Sequence, residues 1–321
     1  MPGLNLNTRS NYVPFPHKLS DEVWKKTTDE SVVMRLGREM ALDAKGTEIA
    51  VINQKAAYHW NWGNETDERV TSETDVQTKT IMPYEIYVTQ PFSNKLRDND
   101  EMLYKSISED LPAILGAGID ETVFTADQDD VGENFDTFSN VQEVSIQNDV
   151  WHGFVTAKKK IQVTKNRFNG IALSPEGEAH FEDAVDNIGR PLFVSDVIND
   201  IEIGKIRGRQ ALLSNGLYIP EGEAGSGIKE QLAIMGDWNK LRWGFINGIK
   251  ARVYDQAVLK LPNGQDLNLA RRHMFALEYC VEVGVGIEFA DAFARLTGGE
   301  PAPSTSTSAP SSNKNAKKAV K

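Results

Sequence analysis

Cysteine is almost absent: Cys280 is the sole cysteine in 321 residues. That excludes an internal disulfide framework and fits a reducing compartment at synthesis. No apolar run is long enough to span a bilayer, and residues 1–18 contain none of signal-peptide length, so the expectation is a soluble chain made in the cytosol. An excess of positive charge is missing as well. Against 46 acidic side chains stand 35 basic ones, a formal charge of -11, which argues against a body that grips nucleic acid through a basic face.

Catalytic spacing is also lacking. His17, His59, His152, His180 and His273 are scattered, with no metal-binding pattern among them. Residues 221–227, EGEAGSG, have neither the lysine nor the hydroxyl residue of a phosphate-binding loop. Asp127, Asp129 and Gly132 imitate the start of a calcium loop, but Val131 and Phe138 stand where oxygen ligands belong. Lys158, Lys159 and Lys160 read as a solvated helix end, and Cys280 as a structural residue. No catalytic residue, metal or cofactor is expected.

What is present is an ordinary balance, 40% hydrophobic and 25% charged, in a chain long enough for a substantial core. Residues 98–124 are the clearest element. Leu103, Ile107, Leu111, Ile114 and Leu115 recur at helical spacing, and Ile119 and Val123 extend the stripe. Asp98 or Asn99 can cap the start. About 26 residues at ~1.5 Å each make a rod of roughly 39 Å. Pro112 removes one donor and predicts a bend, with Gly116 and Gly118 close behind.

Upstream, the prolines of residues 1–19 predict an extended arm, Ser20 a helix cap, residues 30–42 a second helix and residues 47–52 a strand. Residues 53–79 lose all periodicity yet embed Trp60 and Trp62; residues 81–90 then alternate as a strand. Two strands flanking a long polar excursion suggest a projecting hairpin, and loops of this kind are commonly functional. With no local core to bury them, the two tryptophans are candidates for an interface.

Downstream, residues 148–160 predict a helix, 168–173 a strand, and 174–186 a helix opened by Ser174-Pro175. Residues 187–191 read as a turn, and residues 203–219 supply short strands. From Tyr279 to Phe289 every odd position is apolar, predicting a strand buried on one face and about 36 Å long at ~3.3 Å per residue. Residues 249–254 alternate with Lys250 and Arg252 facing outward, so they should pair with the glutamate-bearing strand, the turn at residues 261–264 lying between them. Residues 299–321 are low-complexity with a basic tip and predict a disordered tail.

The stretch MGDWNKLRWGFINGIKARVYDQ, followed by NLARRHMFALEYCVEVGVGIEFADAFARL, resembles the closing segment of tailed-bacteriophage major capsid proteins of the Hong Kong 97 fold. Gly236-Asp237-Trp238 and Ala292-Phe293 occupy the places of that family's turn and terminal segment. Upstream, Glu30-Ser31, Asn169-Gly170 and Gly189-Arg190-Pro191 fit its order, over most of residues 20–298. The resemblance implies an α+β fold: N-arm and N-terminal helices in residues 1–45, an E-loop in 46–80, a peripheral domain in 81–135 and 235–290, and a mixed axial domain in 136–234 and 291–298. In that peripheral domain a long spine helix lies on a long-stranded sheet.

The implied function is a structural, non-enzymatic subunit that self-assembles as hexamers and pentamers into an icosahedral virion head, built in the host cytoplasm. Implied partners are a separate scaffolding protein, a portal, a decoration or minor capsid protein, and packaged double-stranded DNA without sequence-specific contact, with no membrane. Trp60, Trp62, Arg69, Glu73, Tyr12 and Phe15 are the candidate intersubunit contacts. Some relatives crosslink through lysine and asparagine; neither Lys55 nor Lys79 matches that motif, so no crosslinking residue carries over. The alternatives are an encapsulin-type compartment shell, whose family usually opens on a helix, and a soluble enzyme with an unrecognised site.

Overall fold

The computed structural model describes residues 12–13, 17–54, 59–60, 62–63, 68–69, 71, 75–97, 100–147, 149–184, 205–206, 208–222, 229–261 and 263–298. The expected turn at residues 187–191, the tail, and the caps Asp98 and Asn99 lie outside them.

The spine helix runs Asp100–Thr125, 26 residues, unbroken through Pro112. Leu111, Leu115, Ile119 and Val123 are all buried, as their spacing requires, and the main core forms between this stripe and a five-stranded sheet. The two glycines after Pro112 permit close approach of neighbouring segments. A Cβ at Gly116 would lie 3.3 Å from Ser31 N, and one at Gly118 3.3 Å from Ile86 Cδ1.

Two long strands, Leu241–Tyr254 and Met274–Ile287, form the centre of that sheet. Tyr84–Ser93 flanks one side, and Tyr12–Val13 and the parallel Arg38–Glu39 flank the other. The charge pairing read from the sequence holds: Arg252 lies opposite Glu278 with a 3.3 Å contact, and Lys250 reaches Glu282 at 2.9 Å. Between Ile246 and Lys250 the register slips, and Gly248 takes a φ of 62°, a left-handed geometry that glycine adopts without steric cost. The expected turn at 261–264 tips a small hairpin, Val258–Lys260 with Asp266–Asn268.

Three helical expectations shift. The first helix is His17–Glu30, so Ser20 lies inside it instead of capping it. The second is only Val32–Leu36: Gly37 turns extended and ends it, at a place where a Cβ would stand 2.4 Å from Leu241 Cδ2, and Arg38–Glu39 then joins the sheet. The third, Val150–Val163, continues past the three lysines for another turn, with Asp149 accepting from His152 N at its start.

The strand expected at 279–289 is Met274–Ile287, and both of its faces are covered. On the outer face Gly284 and Gly286 leave a groove. A Cβ at Gly286 would lie 2.3 Å from Ile81 Cδ1, and one at Gly284 2.8 Å from Leu42 Cδ2. Ile81 and Leu42 belong to a separate small core with Ile49, Val51, Met40 and Phe289. Alternation in the sequence shows which face is apolar; it does not show that two glycines admit a second layer. Replacing Gly286 with valine should destabilise the fold by about 1–3 kcal/mol through overpacking, read as a lower denaturant midpoint.

A six-stranded sheet stands behind the main core, in the order Gln142–Ser145, Phe293–Thr297, Gln231–Gly236, Gly170–Leu173, Arg209–Leu213, Lys205–Ile206. One face, with Ala172, Leu212, Ile234 and Phe293, joins the main core. The other, with Ile171, Leu173, Met235 and Leu296, packs under helices Val150–Val163 and Pro175–Glu182. Burial on both faces explains why these strands read as short apolar runs without alternation.

The Gly236-Asp237-Trp238 turn ties the two sheets. Asp237 accepts from Arg167 N at 3.1 Å and Asn169 Nδ2 at 3.2 Å, while Asn169 Oδ1 accepts from Trp238 N at 2.9 Å. Trp238 is thereby fixed within a buried aromatic cluster with Phe124, Phe138 and Phe293. Just past that turn, where Leu241–Tyr254 begins, Lys240 and Arg242 clamp Glu288 at 2.8 and 2.6 Å. Burial alone would raise that carboxyl, but the two cations outweigh it and hold it below its ordinary value.

Candidate intersubunit contact site

The expected hairpin is Thr47–Gln54 paired antiparallel with Asp75–Ile81. The expected return strand, residues 81–90, is therefore not part of it: the polar stretch 75–80 supplies that strand, and Tyr84–Ser93 enters the large sheet instead. A strand that meets solvent on both sides along most of its length carries little periodic signal. Ile49 and Val51 face the small core. On the opposite face Ile52 and Val76, direct partners in the ladder, are 46% and 54% exposed, an apolar pair that the sequence reading did not single out.

Beyond the paired strands, Trp60 and Trp62 are 70% and 85% exposed. Their rings stack on each other at 5.2 Å, 22° from parallel. Arg69 is exposed too. Tyr12 is placed by its backbone, opposite Arg252 at the sheet margin. Phe15 and Glu73 lie outside the described residues. Trp60, Trp62 and Arg69 thus share the excursion, whereas Tyr12 lies on the large sheet.

The root of the hairpin is fastened by an ion pair that sequence reading missed. Lys79 Nζ lies 2.6 Å from Asp136 Oδ2 and donates to Ile287 O at 2.8 Å, and the same Asp136 oxygen accepts from Ile287 N at 2.6 Å. Lys79 sits on the Ile49 side of the hairpin, directly opposite Ile49. Asp136 also donates its own N–H to Val285 O at 3.1 Å. Replacing Asp136 with alanine should cost about 1–3 kcal/mol, because the Ile287 amide loses its charged acceptor. Amide exchange should then accelerate in residues 75–81 and 285–287 more than in the spine helix.

Cys280 lies on the outer face of the long strand, beside Glu85. Burial and then the hydrogen bond to Glu85 push its thiol up to about 11, so it stays a protonated, unreactive thiol at neutral pH. Among the described residues no three His, Cys, Asp or Glu side chains gather closely enough to hold a metal ion. No described helix is long and apolar enough to cross a membrane. The features with surface prominence are therefore apolar and positional: stacked indoles on a fastened hairpin.

A model described as the phage capsid family matches residues 12–297. The probable major capsid protein gp17 of Mycobacterium phage D29 is 31% identical over 121 residues, 36% of this chain and 35% of that protein, so the match spans about a third of that relative. A solved chain from Gordonia phage Cozz has a TM-score of 0.57 at 21% identity, covering 84% of this chain and 86% of that one. One from Mycobacterium phage Adephagia gives 0.63 at 17% identity, over 85% and 91%. The capsid of an empty GTA particle computed with C5 symmetry gives 0.59 at 13% identity, over 84% and 89%. The α+β architecture is the Hong Kong 97-type capsid fold that the sequence resemblance implied, and these findings do not favour the encapsulin reading. With a family match across nearly its whole length, the chain belongs to the phage capsid family and is a structural component of the virion.

Proposed function

We propose that this capsid subunit assembles as hexamers and pentamers into an icosahedral head around double-stranded DNA, and that the hairpin tip is its principal reach onto a neighbouring copy. The observation that carries this reading is the pair Trp60 and Trp62, stacked and 70% and 85% exposed on a hairpin whose root is fixed by Lys79 and Asp136. Large aromatics held in solvent cost hydration free energy unless a partner covers them, and tryptophan is enriched at contact hot spots. In this reading residues 46–80 act as the E-loop and the spine helix with the five-stranded sheet as the peripheral domain. The six-stranded sheet with its two helices forms the axial domain around five-fold and quasi-six-fold centres.

The -11 charge of the chain supports enclosure of DNA without tight phosphate contacts, since a strongly basic lining would bind the genome in a salt-dependent way. A scaffolding protein, a portal and a decoration or minor capsid protein complete the assembly in the host cytoplasm, and the subunit itself carries no catalytic role. Electron microscopy of the purified protein, alone and co-expressed with a scaffold, tests the reading. Rings or shells are expected, and a persistent monomer under both conditions would overturn it.

A further inference from the structure

Helix Val150–Val163 buries Gly153, Phe154, Ala157 and Ile161 against the six-stranded sheet. Its other side is unusual for a solvent face. Val155 is 42% exposed and Val163 71%; with Lys159 between them they stand at i, i+4 and i+8, one continuous stripe. Lys160 is exposed on one flank and Lys158 half-buried on the other, with Lys165 exposed just past the helix. Lys160 donates to the Glu143 carbonyl at 3.1 Å, and Lys158 Nζ stands 6.0 Å from the Phe168 ring centre. Among the described residues no carboxylate pairs with Lys158, Lys159 or Lys165.

Helix Pro175–Glu182 lies on the same face of that sheet, its Phe181 ring 6.2 Å from Phe154 and perpendicular to it. It is drawn close by Gly177, where a Cβ would be 2.2 Å from Leu232 O. Its outer surface has the opposite character. Ala179 is exposed at the centre, bordered by exposed Glu176, Glu182 and Asp183. None of these carboxylates, nor that of Glu178, has a cation partner among the described residues. Burial and then the like charge of Glu182 raise the Glu178 carboxyl, so the acidic helix repels itself in the isolated chain.

We propose that these two helices form a head-to-tail contact between copies of the chain: the acidic outer face of Pro175–Glu182 docks on the valine–lysine stripe of Val150–Val163 in the next copy. The inference rests on the shell reading above and names surfaces for it. Charge complementarity selects a second copy as the occupant, because each chain carries both halves, unpaired with each other, on one side of one sheet. The small side chain of Ala179 faces the valines while its glutamates meet the flanking lysines. Two different patches joined in this way make a heterologous contact, which closes into a ring when the rotation between copies permits it. Opposite charges across such a contact set register and suppress the reverse orientation.

Charge reversal tests the assignment on the full-length chain. Wild type, Lys158→Glu/Lys159→Glu, Glu176→Lys/Glu182→Lys and the combined fourfold variant are compared by sedimentation and electron microscopy at low salt. Each paired reversal should lower the assembled fraction about tenfold by setting like charges face to face, with partial recovery as salt screens them. The fourfold variant should return to within about twofold of wild type, since it restores complementarity with the signs exchanged. A mixture of the two paired variants, one acidic on both helices and one basic on both, should likewise assemble better than either does alone. Recovery of the fourfold variant also shows that none of the substitutions blocks folding. If the paired variants assemble like wild type, or the fourfold variant stays as defective as either, the contact is wrong while the shell reading stands. A wild-type chain that forms no ring or shell in the same experiment overturns the shell reading itself.

Discussion

A subunit carrying Trp60→Ala and Trp62→Ala should fold as well as wild type yet fail to build shells. The two indoles are 70% and 85% exposed and touch chiefly each other at 5.2 Å, so removing them takes almost nothing from the subunit's own core. The melting temperature of the unassembled chain should move by no more than about 2 °C, as expected for surface substitutions away from packing. Assembly should respond very differently. A tryptophan at the centre of a contact is worth about 2 kcal/mol or more, and every 1.4 kcal/mol is about tenfold in affinity. Losing both would weaken each neighbour contact on the order of a hundredfold or more, and a shell repeats that loss at every subunit. Light scattering across a concentration series reads the shift in the assembly threshold. Unchanged assembly, or a large drop in monomer stability with normal shells, would refute the role given to the hairpin tip.

Asp120 should be the most sensitive single position for folding. Its carboxylate is 3% exposed and accepts four hydrogen bonds: Ser31 Oγ at 2.6 Å, Val33 N at 3.1 Å, Val32 N at 2.9 Å and Ser214 Oγ at 2.9 Å. One side chain on the spine helix thereby caps helix Val32–Leu36 and reaches the segment after strand Arg209–Leu213. Asp120→Ala strands four donors in the core and should cost about 3–5 kcal/mol, measured by denaturant unfolding. Ser31→Ala and Ser214→Ala should each cost about 1–2 kcal/mol.

The pH dependence follows from the same site. Burial pushes the Asp120 carboxyl above its ordinary 3.8, and the four donors oppose that shift without cancelling it. A folded state that holds this proton more tightly than the unfolded chain gains its full benefit below 3.8 and loses it as pH rises through the raised value. The stability of wild type relative to Asp120→Asn should accordingly be greatest near the acid end and decline toward neutrality. A difference that grows with pH would show that the donors dominate.

The sequence made the periodic elements legible because one face of each is continuously apolar. The stripe from Leu111 to Val123 and the charge pairing of Lys250 and Arg252 with Glu282 and Glu278 needed nothing beyond helical and strand geometry. What stayed hidden depends on partners distant in the chain. Asp120 looks like one more polar residue after Ile119 until Ser31 and Ser214 arrive beside it. Strand Asp75–Ile81 shows no pattern because most of it is wet on both sides. Gly284 and Gly286 read as outward positions, and only the approach of Ile81 and Leu42 shows that a second layer fills them. At the contact site the tryptophans were legible as aromatics without a local core. The apolar pair Ile52 and Val76 was not, since it exists only once the register of the hairpin is known.

That register has a mechanical consequence. From Ile81 the chain passes through Met82 and Pro83 directly into strand Tyr84–Ser93, which is laddered to Met274–Val283 along its length, while Lys79 clips the hairpin to the end of the same long strand at Ile287. A pull delivered through Met82 and Pro83 along that strand loads the ladder in shear, all its bonds sharing the force, instead of peeling them apart one by one. The clip at Lys79 takes strain first and can yield without opening the sheet. The subunit thus joins its hairpin to the large sheet twice, by an ion-paired catch at Lys79 and by a continuous laddered seam through Tyr84–Ser93.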